Sequence, residues 1–286
     1  MKKAASLILT ICLALTLCAC ADNKNDEPDA TPTMPAETLD LSIYAKQEGV
    51  LSQEVWYNTD GLKFSTIIYE YDGSGWLVKE RTLGVNDAPV GYKQYERDEN
   101  GNVTSMISYV ANGPEEYSEE YRTVYEYNES GLKMKETNMV GDSAASTTMY
   151  AYEGKNLVSE KLYEGSELVA DCSYEYDENG RLVSSSRTDN LEGSTQVTSY
   201  TYDDNGCVIS VSTSVDGSVT GRTDYTYDDN GNELTRKDYG ANGEPVSSVK
   251  SEYSYDEPGN IIKCTRTQGD DGQVTVIEYN WMYSKG

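Results

Sequence analysis

The sequence predicts an all-β fold, a repetitive antiparallel β-meander in which each repeat of about 25 residues contributes two strands. A tyrosine motif of the form Y-x-Y-D-x-x-G recurs along most of the chain. Turns of the Asn-Gly and Asp-Gly type fall between its copies, and these dipeptides between β-prone segments are the strongest short-range hairpin signal. The segments between turns have the length of strands, so the predicted sheet is long and either elongated or curled.

Eight copies of the motif set the phase of the array, and their starts lie 24 to 30 residues apart. The copies begin at Tyr69, Tyr95, Tyr125, Tyr150, Tyr174, Tyr200, Tyr225 and Tyr253. A weaker copy precedes them at residues 55–61, and a truncated copy follows at residues 279–281. The array predicts a single repeat domain over residues 39–286.

The acidic part of each motif has the residue order of a hairpin turn. In YTYDDNG, Asp203 suits the first position of a type I turn, and Asn205 suits the third. Gly206 then supplies the left-handed conformation that closes a hairpin with a bulge. This turn would place Tyr202 opposite Val208, and the equivalent residues of the other copies would pair in the same way.

The fourth copy has lost one loop residue and its last glycine. Its two-residue loop, Gly154-Lys155, predicts a type II′ hairpin that places Tyr152 opposite Leu157. The pairing survives although the loop changes, which a turn permits and a metal site does not. Both tyrosines of a motif point to one face of the strand, because side chains alternate. A curled sheet with tyrosines inside, a flat sheet wetted on both sides and a stack of layers are all consistent with this pattern.

The N-terminus has the layout of a secretory signal, with Lys2 and Lys3 before an uncharged segment over residues 4–19. That segment is shorter than the ~20 residues that a membrane-spanning helix needs. Leu17 and Ala19 stand three and one residues before Cys20, an arrangement that resembles the lipobox of bacterial lipoproteins. The resemblance implies a lipoprotein signal peptide over residues 1–19.

Cleavage before Cys20 would leave a diacylglycerol on its thiol. Cys18 is the poorer acceptor, and an ordinary secretory cut near Ala19 or Ala21 is the alternative. Residues 20–38 then comprise the lipidated cysteine and a disordered, acidic and proline-rich linker, since they lack an apolar period. The expected location is the bacterial cell envelope, outside the cytoplasm, with the lipid bilayer as partner through acylated Cys20.

Composition excludes several classes of function. Without Lys2 and Lys3, 21 of the 23 basic residues remain against 49 acidic ones, a net charge of about −28 that would repel nucleic acid. The chain has no histidine, so Ser-His and Cys-His catalysis and the usual zinc sites are excluded. The three cysteines beyond the signal region, Cys172, Cys207 and Cys264, lack metal-binding spacing and are expected to be buried or strand-lining thiols.

The repeat itself resembles a known family. YEYDENGRLVSSSRT, which begins at Tyr174, is similar to the repeat of the Rhs/YD-repeat family, with a tyrosine doublet, Asp, two residues, Gly, Arg and Leu. The resemblance implies a strip of antiparallel sheet that spirals into a hollow shell in long members, association with the cell surface, and carbohydrate binding. No toxin domain follows the repeats in this sequence, so a fragment-like relative of Rhs toxin shells is the weaker expectation.

These observations favour a membrane-anchored, surface-exposed, non-enzymatic lipoprotein that binds or adheres, with an extracellular glycan or protein as partner. Aromatic side chains suit sugar recognition. The candidate ligand-contact residues are Trp56, Trp76, Tyr200, Tyr202, Tyr225, Tyr227 and Trp281. The alternatives are a structural spacer and a calcium-dependent adhesion module. Turn carboxylates that would bind calcium weakly are Asp177, Asp203, Asp228 and Asp256, with no other cofactor expected.

Overall fold

The computed structural model describes residues 50–269 and 272–282, which form 18 β-strands and one short 3-10 segment, Val85–Asp87. The predicted signal peptide, Cys20 and the linker lie outside the described residues. The strands are β1 Val50–Tyr57, β2 Lys63–Tyr71, β3 Leu77–Leu83, β4 Pro89–Arg97, β5 Val103–Ala111, β6 Tyr117–Tyr127, β7 Lys133–Val140, β8 Ser143–Glu153, β9 Asn156–Glu164, β10 Glu167–Tyr176, β11 Leu182–Asp189, β12 Ser194–Tyr202, β13 Val208–Val215, β14 Ser218–Tyr227, β15 Glu233–Gly240, β16 Pro245–Tyr255, β17 Ile261–Gln268 and β18 Gln273–Met282.

Consecutive strands pair antiparallel throughout, which confirms the meander. The last strand also pairs with the first, in an antiparallel ladder that runs from Val50 opposite Met282 to Tyr57 opposite Val276. The described chain is therefore a closed antiparallel barrel of 18 strands. The prediction of an open sheet, elongated or curled, is wrong, because the two predicted edges are hydrogen-bonded to each other.

Bulges supply the curvature that closes the sheet. The register shifts by one residue beside the second aromatic position of the motif, for example between Glu70 and Tyr71 and between Thr201 and Tyr202. A bulge adds one residue to one strand, bends that strand and increases its twist. Repeated at hairpin after hairpin, the bend brings β1 and β18 together, and their pairing satisfies the backbone groups that two open edges would expose.

Side chains reinforce the seam between β1 and β18. The Ser52 hydroxyl donates to the Asn280 carbonyl at 2.8 Å. At the other end of the seam, Thr59 Oγ1 lies 3.1 Å from the Val274 carbonyl oxygen and accepts the Val274 amide at 2.9 Å. The turn between β1 and β2 is thus tied to the start of β18, on the far side of the seam.

The predicted turn geometry is confirmed at the residues that defined it. Gly206 has a φ of +85°, in the left-handed region that the hairpin needs, and Tyr202 lies opposite Val208. The shortened fourth turn places Tyr152 opposite Leu157, also as predicted. The eight motif turns follow the even-numbered strands from β2 to β16, so they all lie at one end of the barrel, which we call the tyrosine rim.

The weak first copy of the motif belongs to the other end of the barrel. Its Asn58 makes the same pair of turn hydrogen bonds, donating to the Leu62 carbonyl at 3.0 Å and accepting from Gly61 at 2.9 Å. This turn joins an odd-numbered strand, β1, to an even-numbered one, whereas the eight other copies join even to odd. The sequence therefore identified the turn correctly but not the end of the barrel on which it lies.

The tyrosines of the motif lie on the concave face of the barrel. The described residues form one sheet with no second layer, so side chains that are almost fully buried must point inward. Tyr69, Tyr150 and Tyr174 are buried in this way, as are Leu51 and Leu157 on adjoining strands. Of the three arrangements that the sequence left open, the curled sheet with tyrosines inside is the nearest, although the curl is complete.

A ladder of side-chain hydrogen bonds runs around the tyrosine rim. The first or second residue of each odd-numbered strand has a carbonyl that lies beyond the backbone ladder to the next strand, and a side chain on that next strand donates to it. The nine donor and acceptor pairs are Tyr71 to Leu51, Arg97 to Leu77, Tyr127 to Val103, Tyr152 to Lys133, Tyr176 to Leu157, Tyr202 to Leu182, Tyr227 to Val208, Tyr253 to Glu233 and Trp281 to Ile261.

Two substitutions at the second aromatic position of the motif preserve this hydrogen bond to the carbonyl. Arg97 replaces the second tyrosine of the second copy, and its guanidinium reaches the Leu77 carbonyl at 3.3 Å. Trp281 replaces the tyrosine of the truncated last copy, and its indole N–H donates to Ile261 at 2.9 Å. The position requires a long side chain with a donor at its tip, which tyrosine, arginine and tryptophan all provide.

The ladder predicts a defined alkaline limit of stability. Burial raises the pKa of Tyr71, Tyr127, Tyr152 and Tyr253 to about 12, above the value near 10 of an unfolded tyrosine. The stability gained from protonated phenols is complete below pH 10 and is lost as the pH rises from about 10 through 12. The difference in absorbance at 295 nm between the wild type and a Tyr127→Phe variant isolates one of these phenols among the 25 tyrosines. With circular dichroism recorded in the same titration, that phenol should ionise only as the barrel unfolds. Its ionisation near pH 10 with the β-sheet signal retained would contradict the ladder.

Candidate functional site

The tyrosine rim contains most of the residues that the sequence singled out. Each of these turns is stabilised by the side chain of its first residue. The Asp203 carboxylate accepts the amide hydrogens of Asn205 at 3.0 Å and Cys207 at 2.8 Å, and Asp177 binds Asn179 and Arg181 in the same way. A carboxylate at this position therefore fixes the loop by accepting backbone amides two and four residues ahead.

The other two turn aspartates make further bonds. Asp228 accepts the Tyr255 hydroxyl at 2.9 Å and the Asn232 side-chain amide at 3.0 Å, and Asp256 accepts the Asn260 backbone amide at 2.7 Å. Burial tends to raise the pKa of Asp228, but the hydrogen bonds that it accepts from Asn232, Tyr255 and Asn230 together lower the pKa below its usual value. In the described part of the chain, no cluster of three or more acidic, cysteine or histidine side chains could hold a metal ion.

A second circle of tyrosines lies one step deeper in the barrel. We call it the tyrosine belt: Tyr69, Tyr95, Tyr125, Tyr150, Tyr174, Tyr200, Tyr225, Tyr253 and Tyr279. Tyr253 belongs to both circles, because in the eighth copy the first tyrosine donates to the rim carbonyl of Glu233, while Tyr255 donates to Asp228. Each member lies directly opposite an inward residue of the next strand, in the pairs Tyr69–Glu80, Tyr95–Met106, Tyr125–Glu136, Tyr150–Glu160, Tyr174–Ser185, Tyr200–Val211, Tyr225–Arg236, Tyr253–Cys264 and Tyr279–Glu54.

Carboxylates interleave with the belt on one half of the barrel, and the sequence reading missed them. Tyr69 donates to Glu54 at 2.9 Å, Tyr95 to Glu80 at 3.0 Å and Tyr150 to Glu136 at 3.1 Å. Four of the nine odd-strand belt positions hold glutamate, a bias that alignment of the repeats on their turns could have shown. The bulge after each turn places them inward, whereas simple alternation from the first strand residue would place them outward.

Burial raises the pKa of the belt glutamates Glu54, Glu80 and Glu160, and the same cause raises the pKa of Glu233 at the rim. Hydrogen bonds from Tyr69 and Trp56 oppose the shift at Glu54. At Glu54, Glu80 and Glu160 a belt tyrosine, Tyr69, Tyr95 or Tyr174 respectively, supplies the hydrogen-bond donor that a buried carboxylate needs.

The four candidate tyrosines belong to these inward circles. Tyr202 donates to the Leu182 carbonyl at 2.6 Å, with the Arg181 guanidinium 4.9 Å from its ring centroid. Tyr227 donates to Val208 at 2.8 Å, and its ring lies 6.4 Å from that of Tyr225. Tyr200 is the belt member of the sixth copy. These tyrosines line the wall and hold it together.

The three tryptophans differ in exposure. Trp281 belongs to the rim ladder, and the part-buried Trp56 donates to Glu54 at 3.1 Å. Trp76 is 46% exposed and lies across the neighbouring turn. A side-chain carbon at Gly101 would come within 2.6 Å of the Trp76 ring, so only glycine allows the indole to rest on that turn. The Arg97 guanidinium lies 5.3 Å from the ring centroid.

Trp76 is therefore an exposed indole held in place by its neighbours, and the structure brings it together with Arg97 rather than with the other candidate aromatics. Cys172, Cys207 and Cys264 are buried, as the sequence predicted, and they form no disulfide, a point that the sequence left open. In the described residues there is no helix with the length and apolar character needed to cross a bilayer.

Comparison with solved structures finds similar folds at low sequence identity. A porin-like protein from Bacteroides uniformis is 11% identical, with 81% of this chain and 96% of that chain covered and a TM-score of 0.46. A porin-like protein from Bacteroides vulgatus is 15% identical, with 82% and 99% covered and a TM-score of 0.41. The TcdB2-TccC3-Cdc42 structure is 14% identical over 79% of this chain but only 16% of that chain, with a TM-score of 0.30.

No curated protein matches the chain. The family model described as Teneurin YD-shell matches residues 114–280, more than half of the sequence. That region includes the third to eighth copies of the tyrosine motif, and the match confirms the relationship to YD repeats that the motif predicted. The chain belongs to the teneurin YD-shell family.

Proposed function

We propose that the protein is a non-enzymatic binding protein of the bacterial cell envelope, anchored to the membrane through acylated Cys20 and contacting a neutral glycan at the tyrosine rim. The observation that carries the proposal is Trp76, an exposed indole fixed on Gly101. A flat aromatic ring that is 46% exposed and rests on a neighbouring turn suits stacking against a sugar ring. Because the indole is already positioned, it would lose little conformational freedom on binding.

The inward orientation of the other candidates supports the choice of Trp76. The tips of Tyr202, Tyr227 and Trp281 donate to backbone carbonyls of the wall. Removing those bonds to contact a ligand would leave carbonyls without their donors, at a cost of about 1–3 kcal/mol each where they are buried. We therefore assign these residues to the wall and Trp76 to the ligand.

Charge supports a neutral ligand. The whole chain carries a formal net charge of −26, which disfavours polyanionic partners such as nucleic acid or strongly acidic polysaccharides. The convex face carries charged and hydroxyl side chains, including the ion pair between Lys135 and Glu126 at 2.8 Å. Such a face suits a barrel whose sides meet water.

A structural spacer is the second candidate, and the rim ladder favours it. Nine side-chain bonds tie neighbouring strands around the whole circumference, which stiffens the wall whether or not a ligand binds. We do not extend the proposal to calcium-dependent adhesion. The carboxylates of Asp177 and Asp203 already accept two backbone amides each, and calcium requires six to eight oxygen ligands.

Replacing Cys20 by alanine tests the anchor. The wild-type protein should fractionate with membranes, and its mass should exceed that of the chain cleaved before Cys20 by the mass of the acyl groups. The Cys20→Ala variant should lose both properties, because two or three acyl chains supply the membrane affinity. Cys18→Ala is the matched control and should behave as wild type. A wild-type N-terminus with an unmodified thiol would refute the anchor.

Replacing Trp76 by alanine tests the binding site. On an array of neutral oligosaccharides, Trp76→Ala should reduce affinity by about tenfold or more, with Trp76→Phe intermediate because the smaller ring still stacks. Val246→Ala removes another exposed apolar side chain, 73% exposed, and should bind as wild type. Thermal melts should show all three variants folded. Absence of saccharide binding by the wild-type protein would leave the spacer as the better account.

A further inference from the structure

We infer that the tyrosine rim holds a second subsite, a notch beside the shortened fourth turn, and that the ligand is an extended neutral oligosaccharide rather than a single terminal sugar. The inference rests on the proposed function, since it takes Trp76 as the first subsite. Three features of the rim lead to it: a cavity, its continuity with Trp76 and the chemistry of its lining.

The notch exists because the fourth motif turn is short. The turn between β8 and β9 has two residues in its loop, while the preceding turn between β6 and β7 has the full motif. The difference in height leaves a cavity of about 580 Å³ between them. Its principal lining residues are Asn128, Ser130, Leu132, Met134, Tyr152 and Lys155. A deletion in one repeat has thus created a concave site on an otherwise regular rim.

The notch continues the surface that begins at Trp76. The indole rests on Gly101, the next turn along the rim. Asn102, which follows that glycine, lies against the turn after it, because a side-chain carbon at Gly131 would be 3.8 Å from Asn102 Oδ1. Gly131 in turn lines the notch. From β3 to β9 the surface crosses six strand spacings, about 29 Å, which exceeds the length of one sugar and suits a chain of them.

Equivalent repeat positions supply the apolar surface at both ends of this path. Trp76 and Leu132 each follow the last glycine of a motif turn; the Trp76 side chain is 46% exposed, and the Leu132 side chain is half-buried. Trp76 packs against the next turn along the rim. Leu132 has the notch beside it, where the next turn is too short to fill the same space. Two apolar contacts separated by several turns would hold two separate rings of one linear ligand.

The lining of the notch suits a neutral, hydroxyl-rich ligand. It contains no carboxylate and a single cationic side chain, Lys155, whose ammonium can donate to sugar hydroxyls, although the chain as a whole is strongly acidic. Asn128 supplies an amide where six other motif turns begin with aspartate, and Ser130 adds a hydroxyl. The six aspartates are Asp72, Asp98, Asp177, Asp203, Asp228 and Asp256. Amide and hydroxyl groups both donate and accept hydrogen bonds, as sugar hydroxyls do.

Dependence on chain length tests the inference. Matched disaccharides and octasaccharides of the gluco-, manno- and xylo- series are titrated against the full chain by calorimetry. The wild-type protein should bind an octasaccharide at least about tenfold more tightly than the corresponding disaccharide, because only the longer ligand reaches both subsites. Ser130→Trp fills the notch from an exposed loop position and should abolish this gain while leaving disaccharide affinity unchanged.

The matched control is Asn179→Trp, which introduces the same side chain at the same exposed position of the turn after β10 and should behave as wild type. If Ser130→Trp retains the full chain-length gain, the second subsite is refuted while Trp76 binding stands. If Trp76→Ala binds disaccharides as the wild type does, or the wild type binds none of these saccharides, the proposed function fails and the inference fails with it.

Discussion

The pairing of β1 with β18 is the constraint on which the rest of the structure depends. It joins residues that are 219 to 232 positions apart in the sequence, and it gives every strand two neighbours. Closure defines an inside and an outside, and so it determines that the tyrosines of the motif face inward. The orientations of the rim ladder, the belt carboxylates and the exposed Trp76 all depend on that geometry, because in an open sheet both faces would be equally accessible.

Local features of the fold could be predicted from the sequence, and the long-range feature could not. The turn at Asp203, the pairing of Tyr202 with Val208 and the altered fourth hairpin each depend on a few adjacent residues, so their chemistry is readable directly. Closure depends on a small bend at each bulge, summed over eighteen strands. Gln53 and Asn280, which meet at the seam, carry no local signal of each other.

For the candidate site, too, the sequence predicted individual residues but not the contacts between residues of different repeats. Trp76 could be named as a candidate because tryptophan is rare in this chain, but its platform depends on Gly101, which lies in the next repeat. The tyrosines at positions 200, 202, 225 and 227 were identified without the face that decides their role. Glu54 and Glu80 went unnoticed because an acidic chain hides individual carboxylates, and because a bulge reverses the face that simple alternation assigns to them.

A disulfide across the seam tests the closed barrel most directly. Gln53 and Asn280 lie directly opposite each other in the antiparallel ladder, which places paired Cα atoms about 4.5–5.5 Å apart, so cysteines at both positions fall within disulfide range. In an open meander these strands would be separated by seventeen spacings, about 80 Å. The Gln53→Cys, Asn280→Cys double variant should form an intramolecular disulfide under mild oxidation, seen as a mass loss of about two hydrogens and faster migration on a non-reducing gel, whereas Gln53→Cys with Ser254→Cys should not. A double variant that stays reduced as a folded monomer, or cross-links only between molecules, would contradict the closed barrel.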